Sequence, residues 1–287
     1  MFLPSRIIEE KLRSFLKEDL GQGDITTHLL IPEKVIVQAE IIAKETGVAA
    51  GIEEALILLE GLGIKAKPLV KDGQKIAKGK VLIKIEGNAK NVLASERTVL
   101  NLLARMSGIA TFTNRIVRKI RKAGYKTVIA CTRKTAPGLE YFDKKAVLLG
   151  GGDTHRLHLD DMILIKDNHI AIVGSVKEAV KLAKKQASFS KKIEVEVSDV
   201  NEAIEAAKAG ADIIMLDNFT PEKVKDAINR LKRENLRDKV LIEASGGINE
   251  KNIVNFAAAG VDIISLGALT HSAKALDISL EIRKVAK

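Results

Sequence analysis

A chain of 287 residues, 46% hydrophobic and 29% charged, has enough apolar side chain for one large core or two modest ones, the profile of a globular protein rather than a disordered one. The formal net charge is +10, yet Lys and Glu intermix as on solvated helix faces (KVKDAINRLKRENLRDK), and 3% aromatics with no Trp supply few base-stacking platforms, so no nucleic-acid partner is expected. No apolar run approaches the roughly 20 residues of a bilayer span, MFLPSRIIEEKLRSFLKEDL reads as carrying no export signal, and the single cysteine, Cys131, excludes an internal disulfide framework; a cytoplasmic protein without membrane association is expected.

In chain order, the pattern predicts a helix at about 5–18, alternating segments at 35–44 and 81–86, and a helix at about 51–62. In VKDGQKIAKGKVLIKIEG, residues 70–87, Gly73, Gly79 and Gly87 flank short strands, which suggests a small β-rich module with tight turns. A helix follows from Asn91 to Leu103, its apolar stripe formed by Leu93, Val99, Leu100 and Leu103. The rhythm changes near residue 110. Short apolar runs now end in polar or glycine residues: TVIA before CTRKT, MILI before KDNH, IEVEV before SDV, DIIML before DNFTP, VLIEA before SGGI, and DIISL before GALTH. Helices are predicted near 176–187, 200–209, 221–233 and 250–259. Two of them exit alike, through Ala209-Gly210-Ala211-Asp212 and Ala259-Gly260-Val261-Asp262, each a Gly C-cap returning to a buried strand.

Continuous apolar strands alternating with helices imply parallel pairing under a helical cover. Polar tails gathered at the C-terminal ends of strands suit a barrel, whose chemistry lies on that rim. Six strands are read rather than eight, which gives an incomplete, six- to seven-strand barrel; an open doubly wound sheet is the competing topology. The strand ends present cations at Arg133, Lys134 and Lys166, with His155 and Arg156 nearby, and acids at Asp167, Glu194, Glu196 and Asp217. Glu194 and Glu196 share one face of their strand and need partners, which Lys166 and Arg133 are expected to supply. Gly246-Gly247 after Ser245, and Gly267 after Ser265, leave backbone N–H groups open to a ligand and form a phosphate site at the last strands. A phosphate there and a second anion over Arg133, Lys134, Arg156 and Lys166 describe a pocket for a polyanion, a sugar phosphate or a nucleotide-like molecule. Glu196 and Asp217 then read as ribose or Mg²⁺ partners.

The segments EDLGQGDITT (18–27), ERTVLNLLARMSGIAT (96–111), TRKTAPG (132–138), GGGDTHRLHLDDMILIKDNHI (150–170), EVEV (194–197), LDN (216–218), ASGGI (244–248) and SLGALTHS (265–272) resemble, in order, the carboxylating nicotinate-nucleotide pyrophosphorylases, or quinolinate phosphoribosyltransferases. The resemblance implies an α/β fold: an N-terminal α/β sandwich, residues 1–109, and an incomplete parallel α/β barrel of the type II phosphoribosyltransferase kind, residues 110–269. A C-terminal helix, 270–287, is expected to pack back on the sandwich. The implied reaction converts quinolinate and phosphoribosyl pyrophosphate to nicotinate mononucleotide, CO₂ and pyrophosphate, in NAD biosynthesis. It needs Mg²⁺ and no organic cofactor. By motif, Thr132, Arg133, Lys134, His155, Arg156 and Lys166 would hold the quinolinate carboxylates and the phosphates, with Lys134, Lys166, Glu196 and Asp217 catalytic. Arg97 would reach in from the partner subunit of a homodimer or hexamer with a shared site. Glu196 and Asp217 would face the ribose and Mg²⁺, and Ser245, Gly246, Gly247, Gly267 and Ala268 would hold the 5-phosphate. One position departs: the family commonly has Arg after PGL, where this chain has Glu140. A relative of the same fold with another acceptor, nicotinate or that of the molybdate-operon protein, is the alternative.

Overall fold

The computed structural model describes residues 3–286. The elements run α1 (Ser5–Leu20), α2 (Ile25–Leu30), β1 (Ile36–Ala43), β2 (Gly47–Val48), α3 (Ile52–Gly61), β3 (Lys65–Pro68), β4 (Lys75–Ile76), β5 (Val81–Asn88) and α4 (Ala89–Lys122). There follow β6 (Val128–Ala130), α5 (Glu140–Leu149), β7 (Ile163–Ile165), α6 (Asp167–Val173), α7 (Val176–Gln186), β8 (Ile193–Val197) and α8 (Val200–Ala209). The chain continues through β9 (Ile213–Asp217), α9 (Pro221–Arg233), β10 (Leu241–Ser245), α10 (Ile253–Ala259), β11 (Ile263–Ser265), α11 (Ala268–His271) and β12 (Ile278–Ala286). Two compact units result. The first takes in the chain up to Asn114, Tyr141–Gly151 and the chain from Ala273; the second is Arg115–Glu140 with Gly152–Ser272. No helix among the described residues is long and apolar enough to cross a membrane.

In the first unit a four-stranded sheet has the order β12-β1-β5-β3, and β2 pairs separately with β4. α1 buries Ile8, Leu12 and Leu16, at the four-residue spacing of one helix face. The helix expected over 270–287 is not formed: α11 ends at His271, and Ile278–Ala286 is a strand antiparallel to β1. The reason is visible in ISLEIRKVA, where Ile278, Leu280 and Ile282 alternate with Ser279, Glu281 and Arg283, a period of two. Lys287 lies outside the described residues. The unit also buries charge. Arg105 grips the fully buried Asp143 through two 2.7 Å hydrogen bonds, and Lys145 lies 2.6 Å from Glu53 and 2.7 Å from the fully buried Glu54.

In the second unit six parallel strands form one sheet of order β6-β11-β10-β9-β8-β7. From β7 to β11 the order never reverses, so this is not a doubly wound sheet, which changes direction midway. β6, first in sequence, lies beyond β11, as expected when the sheet curls into a barrel; among the described residues β6 and β7 do not pair, and the barrel stays open. Apolar residues of one face, Val195, Ile214, Ile242 and Ile264, are fully buried. The covering helices bury Val180, Ile204, Val224 and Leu231. Helix boundaries follow local chemistry: Asp199 and Thr220 accept from the first-turn N–H groups of α8 and α9. Gly210 and Gly260 end α8 and α10 with φ of 91° and 100°, a conformation that favours glycine. The aspartates after these caps have a task too. Asp212 accepts the Ile193 N–H and Asp262 the Ile242 N–H, both at 2.7 Å, so each latches the start of the preceding strand.

Candidate active site

At the C-terminal ends of these strands lies a cavity of about 590 Å³. The register explains its lining. Glu196, Met215 and Glu243 are paired neighbours across β8, β9 and β10, and parallel partners share a face. One step further along, Asp217 is paired with Ser245 on that same face. Thr132, Arg133, Lys134, His155, Arg156, Lys166, Glu196, Asp217, Ser245, Gly246 and Gly247, all expected from sequence, line this cavity, together with Cys131, Leu164, Met215, Asn218, Glu243 and Ser265. Cys131 is buried.

The cations arrive by distinct routes. Arg133 and Lys134 follow β6 directly and are exposed; the Lys134 N–H donates to Thr132 Oγ1 at 3.1 Å, and its carbonyl accepts from Thr270. Residues 153–156 run alongside β6. Ala130 and Asp153 form a parallel bridge, and the Cys131 N–H donates to the Asp153 carbonyl. Asp153 Oδ1 then accepts the His155 N–H at 2.7 Å, at a residue whose φ is 53°. This turn delivers His155 and Arg156 to the cavity. Lys166, at the end of β7, lies 3.0 Å from Glu196.

Of the partners expected for the two strand glutamates, Lys166 does pair with Glu196, but Glu194 faces His155 rather than Arg133. His155 Nε2 is 3.3 Å from Glu194 and 3.2 Å from Glu243, and both glutamates are fully buried. The Arg156 N–H lies 2.8 Å from His155 Nδ1, and Nε2 faces the two carboxylates. Burial lowers the basicity of this imidazole, and hydrogen bonding and charge from Glu194 and Glu243 more than reverse that, raising its pKa to about 10. Burial raises the pKa of Glu194. The buried Arg156 has its pKa lowered, first by burial and then by the charge of Arg133. Glu243→Gln should therefore move the His155 titration down from about 10 towards the ordinary imidazole range, read by NMR of the ring. An unchanged midpoint would show that Glu243 does not set it. Because the pKa is raised on folding, stability from this group is full below about 6.5 and is lost as pH rises through about 10.

The glycine ends are built for close approach. Gly246 and Gly247 have φ of 84° and 64°; a Cβ on Gly247 would meet nothing within 4 Å, while one on Gly246 would lie 2.4 Å from Asn218 Oδ1. Gly267 and Ala268 are not in the lining but adjoin it, since a Cβ on Gly267 would come within 3.1 Å of Lys134 Cδ. Asp167, at the first turn of α6, bonds its neighbour's N–H and does not line the cavity. Glu140, at the start of α5, lies 3.3 Å from His158 Nδ1. Arg97 is exposed on α4 in the first unit and is absent from the lining.

Glu243 and Asn218 were not singled out from sequence. The signal for Glu243 is a lone carboxylate inside an apolar parallel strand, where it must either find an internal cation or take up a proton. Chemically, five cationic groups face a cavity that also holds three carboxylates on neighbouring strands, Glu196, Asp217 and Glu243, and a paired-glycine turn, a combination suited to a ligand with several anionic groups and a sugar.

Residues 24–107 match the family model "Quinolinate phosphoribosyl transferase, N-terminal domain", and residues 109–281 match "Quinolinate phosphoribosyl transferase, C-terminal domain". The probable nicotinate-nucleotide pyrophosphorylase [carboxylating] of Methanocaldococcus jannaschii is 52% identical over 273 residues, covering 94% of this chain and 95% of that protein. The nicotinate-nucleotide pyrophosphorylase [carboxylating] of Rattus norvegicus is 37% identical, covering 98% and 92%. Among solved structures, the nicotinate-nucleotide pyrophosphorylase from Francisella tularensis superposes with a TM-score of 0.90 at 39% identity, covering 98% of each chain.

Proposed function

The chain belongs to the quinolinate phosphoribosyltransferase family, and from that premise we propose that it joins quinolinate to phosphoribosyl pyrophosphate, releasing pyrophosphate and CO₂ to leave nicotinate mononucleotide for NAD biosynthesis. The observation that carries the assignment is the cation set Arg133, Lys134, His155, Arg156 and Lys166 in one cavity with Glu196, Asp217 and the Ser245-Gly246-Gly247 turn. A pyridine with two carboxylates needs more fixed positive charge than one with a single carboxylate.

In the proposed reaction the ring nitrogen attacks the anomeric carbon as the bond to pyrophosphate breaks. Positive charge develops on the sugar, where the carboxylates of Glu196 and Asp217 would stabilise it, while Lys134 and Lys166 would hold the departing anion. The ribosylated ring nitrogen is cationic. The bond to the adjacent carboxylate then breaks, its electron pair stays on the ring carbon, CO₂ leaves, and a proton takes its place. The chemistry calls for no covalent nucleophile.

The carboxylates of Glu196 and Asp217 suit a hard cation that keeps substrate oxygens in its shell, so these two residues would hold Mg²⁺. When bound, the ion neutralises charge on the pyrophosphate. Arg97 is assigned to the site of a partner subunit, in a homodimer or hexamer, and the protein to the cytoplasm. The test is nicotinate mononucleotide formation with quinolinate or nicotinate as acceptor, each with Mg²⁺ and phosphoribosyl pyrophosphate. Product from quinolinate alone, with equimolar CO₂, is expected. Product from nicotinate alone would overturn the reading of the cations, and none from either, with folded protein, would overturn the catalytic assignment.

A further inference from the structure

Asn218 has no part in the reaction as described, yet three independent features converge on it. Its φ is 55°, one of three non-glycine residues among those described with positive φ; asparagine visits this region more readily than other side chains, at a residual cost. Its Nδ2 donates to Asp217 Oδ2 at 2.6 Å. Its own N–H donates to the Ser245 carbonyl at 2.9 Å, and its Oδ1 occupies the space where a Cβ on Gly246 would stand, 2.4 Å away. The first contact concerns the carboxylate at the end of β9, and the other two concern the glycine turn at the end of β10.

A leftward twist of the backbone at Asn218 is what lets one side chain serve both. Carried on in the extended conformation of β9, the chain would turn the residue 218 side chain to the opposite face from Asp217. With φ positive, the amide folds back onto Asp217 while the backbone N–H stays in register with Ser245. The donor end of the amide is committed to the carboxylate, so its oxygen is left against the glycine turn. An aspartate here would place a second acceptor against Asp217; a larger side chain on Gly246 would push the amide away.

We infer that Asn218 is a positioning residue: it fixes the Asp217 carboxylate and the Ser245-Gly246-Gly247 turn relative to one another, so that the ribose and 5-phosphate of a single phosphoribosyl group meet their partners at a set separation. This rests on the assignment of Asp217 and the glycine turn to phosphoribosyl pyrophosphate. It makes Asn218 specific to that substrate: the quinolinate side of the cavity, built from Arg133, His155 and Arg156, has no bond to it.

The experiment measures calorimetric binding of phosphoribosyl pyrophosphate, with and without Mg²⁺, to the wild-type chain and to Asn218→Gly and Asn218→Asp, with steady-state KM for each substrate alongside. Glycine relieves the backbone and removes the amide; aspartate keeps the size and reverses the polarity. Both are expected to weaken binding and raise the KM for phosphoribosyl pyrophosphate by about 10- to 100-fold, the usual cost of losing a residue that orients a ligand group. The KM for quinolinate should move by less than about threefold, and thermal midpoints should confirm that both variants are folded. Adding Asp217→Asn should remove most of the further effect of Asn218→Gly on binding, because the two act as one unit. If Asn218→Gly binds as tightly as wild type, the amide has no positioning role and the inference fails. Equal losses for both substrates would overturn it as well, since they indicate general loosening. A wild-type chain that itself binds no phosphoribosyl pyrophosphate would instead overturn the assignment of the site.

Discussion

Lys134→Ala is expected to lower turnover by ~10²–10³-fold, the loss that follows removal of one fixed donor from a developing anion. The side chain is exposed where it follows β6, and Gly267 leaves it room, since any Cβ there would press on its Cδ. An exposed lysine side chain holds little of the fold together, so the thermal midpoint of the variant should match the parent. Turnover within tenfold of wild type would remove Lys134 from the proposed machinery. The same variant tests Arg97. Inactive Lys134→Ala chains mixed with inactive Arg97→Ala chains should regain activity as heterodimers, since one site of each pair would then be intact; verified heterodimers without activity would count against a site completed by the partner.

The second large effect concerns stability. Lys145→Met should destabilise the fold by about 3–5 kcal/mol, the usual cost of leaving one member of a buried ion pair uncompensated. Glu54 is fully buried, one of its oxygens is held by Lys145 at 2.7 Å, and its Oε2 has no hydrogen-bond partner among the described residues. Burial already raises the pKa of Glu54, with Lys145 the main opposing influence. For Lys145, burial works to lower the pKa, and the charges and hydrogen bonds of Glu54 and Glu53 win, holding it above the usual lysine range. Without the ammonium, the Glu54 carboxylate must take up a proton or open the core. Urea midpoints would show the loss, and Lys145→Met combined with Glu54→Met should recover most of it, because the unpaired charge is then gone. A loss under about 1 kcal/mol for the single change would mean that water or another group reaches Glu54.

How far the sequence could be read depended on whether neighbours in space announced themselves in the pattern. The six parallel strands did, because each is an apolar run ended by polar residues, and Arg133, Lys134, Lys166 and the paired glycines follow those runs directly. Lys166 and Glu196 could be paired on paper because both sit at strand ends. Glu194 could not, because its partner His155 is brought there by a segment, residues 153–156, that bridges to β6 without any apolar alternation. Glu243 was hidden by its own strand, and the buried cluster of Glu54 and Lys145 by the 91 positions that separate its members. The final strand carries its period-two alternation in Ile278, Leu280 and Ile282, but Glu281, Arg283 and Lys284 give its latter part the charge texture of a surface helix, and only the pairing with β1 decides between the two.

The pairing of β1 with β12 has a consequence for how the protein is made. Ile36 is matched to Ala286 and Ala43 to Ile278, so the first sheet acquires an outer strand only after every residue of the second unit has been synthesised. Domains generally fold from the N-terminus as they leave the ribosome. Here the earlier unit stays unfinished for the longest time, with the backbone groups along one side of β1 open to intruding strands, while the later unit, built from neighbouring strand–helix repeats, is free to settle first. Birth order and order of completion run in opposite directions, and translation rate or chaperone capture would bear on the yield of this protein through that one exposed margin.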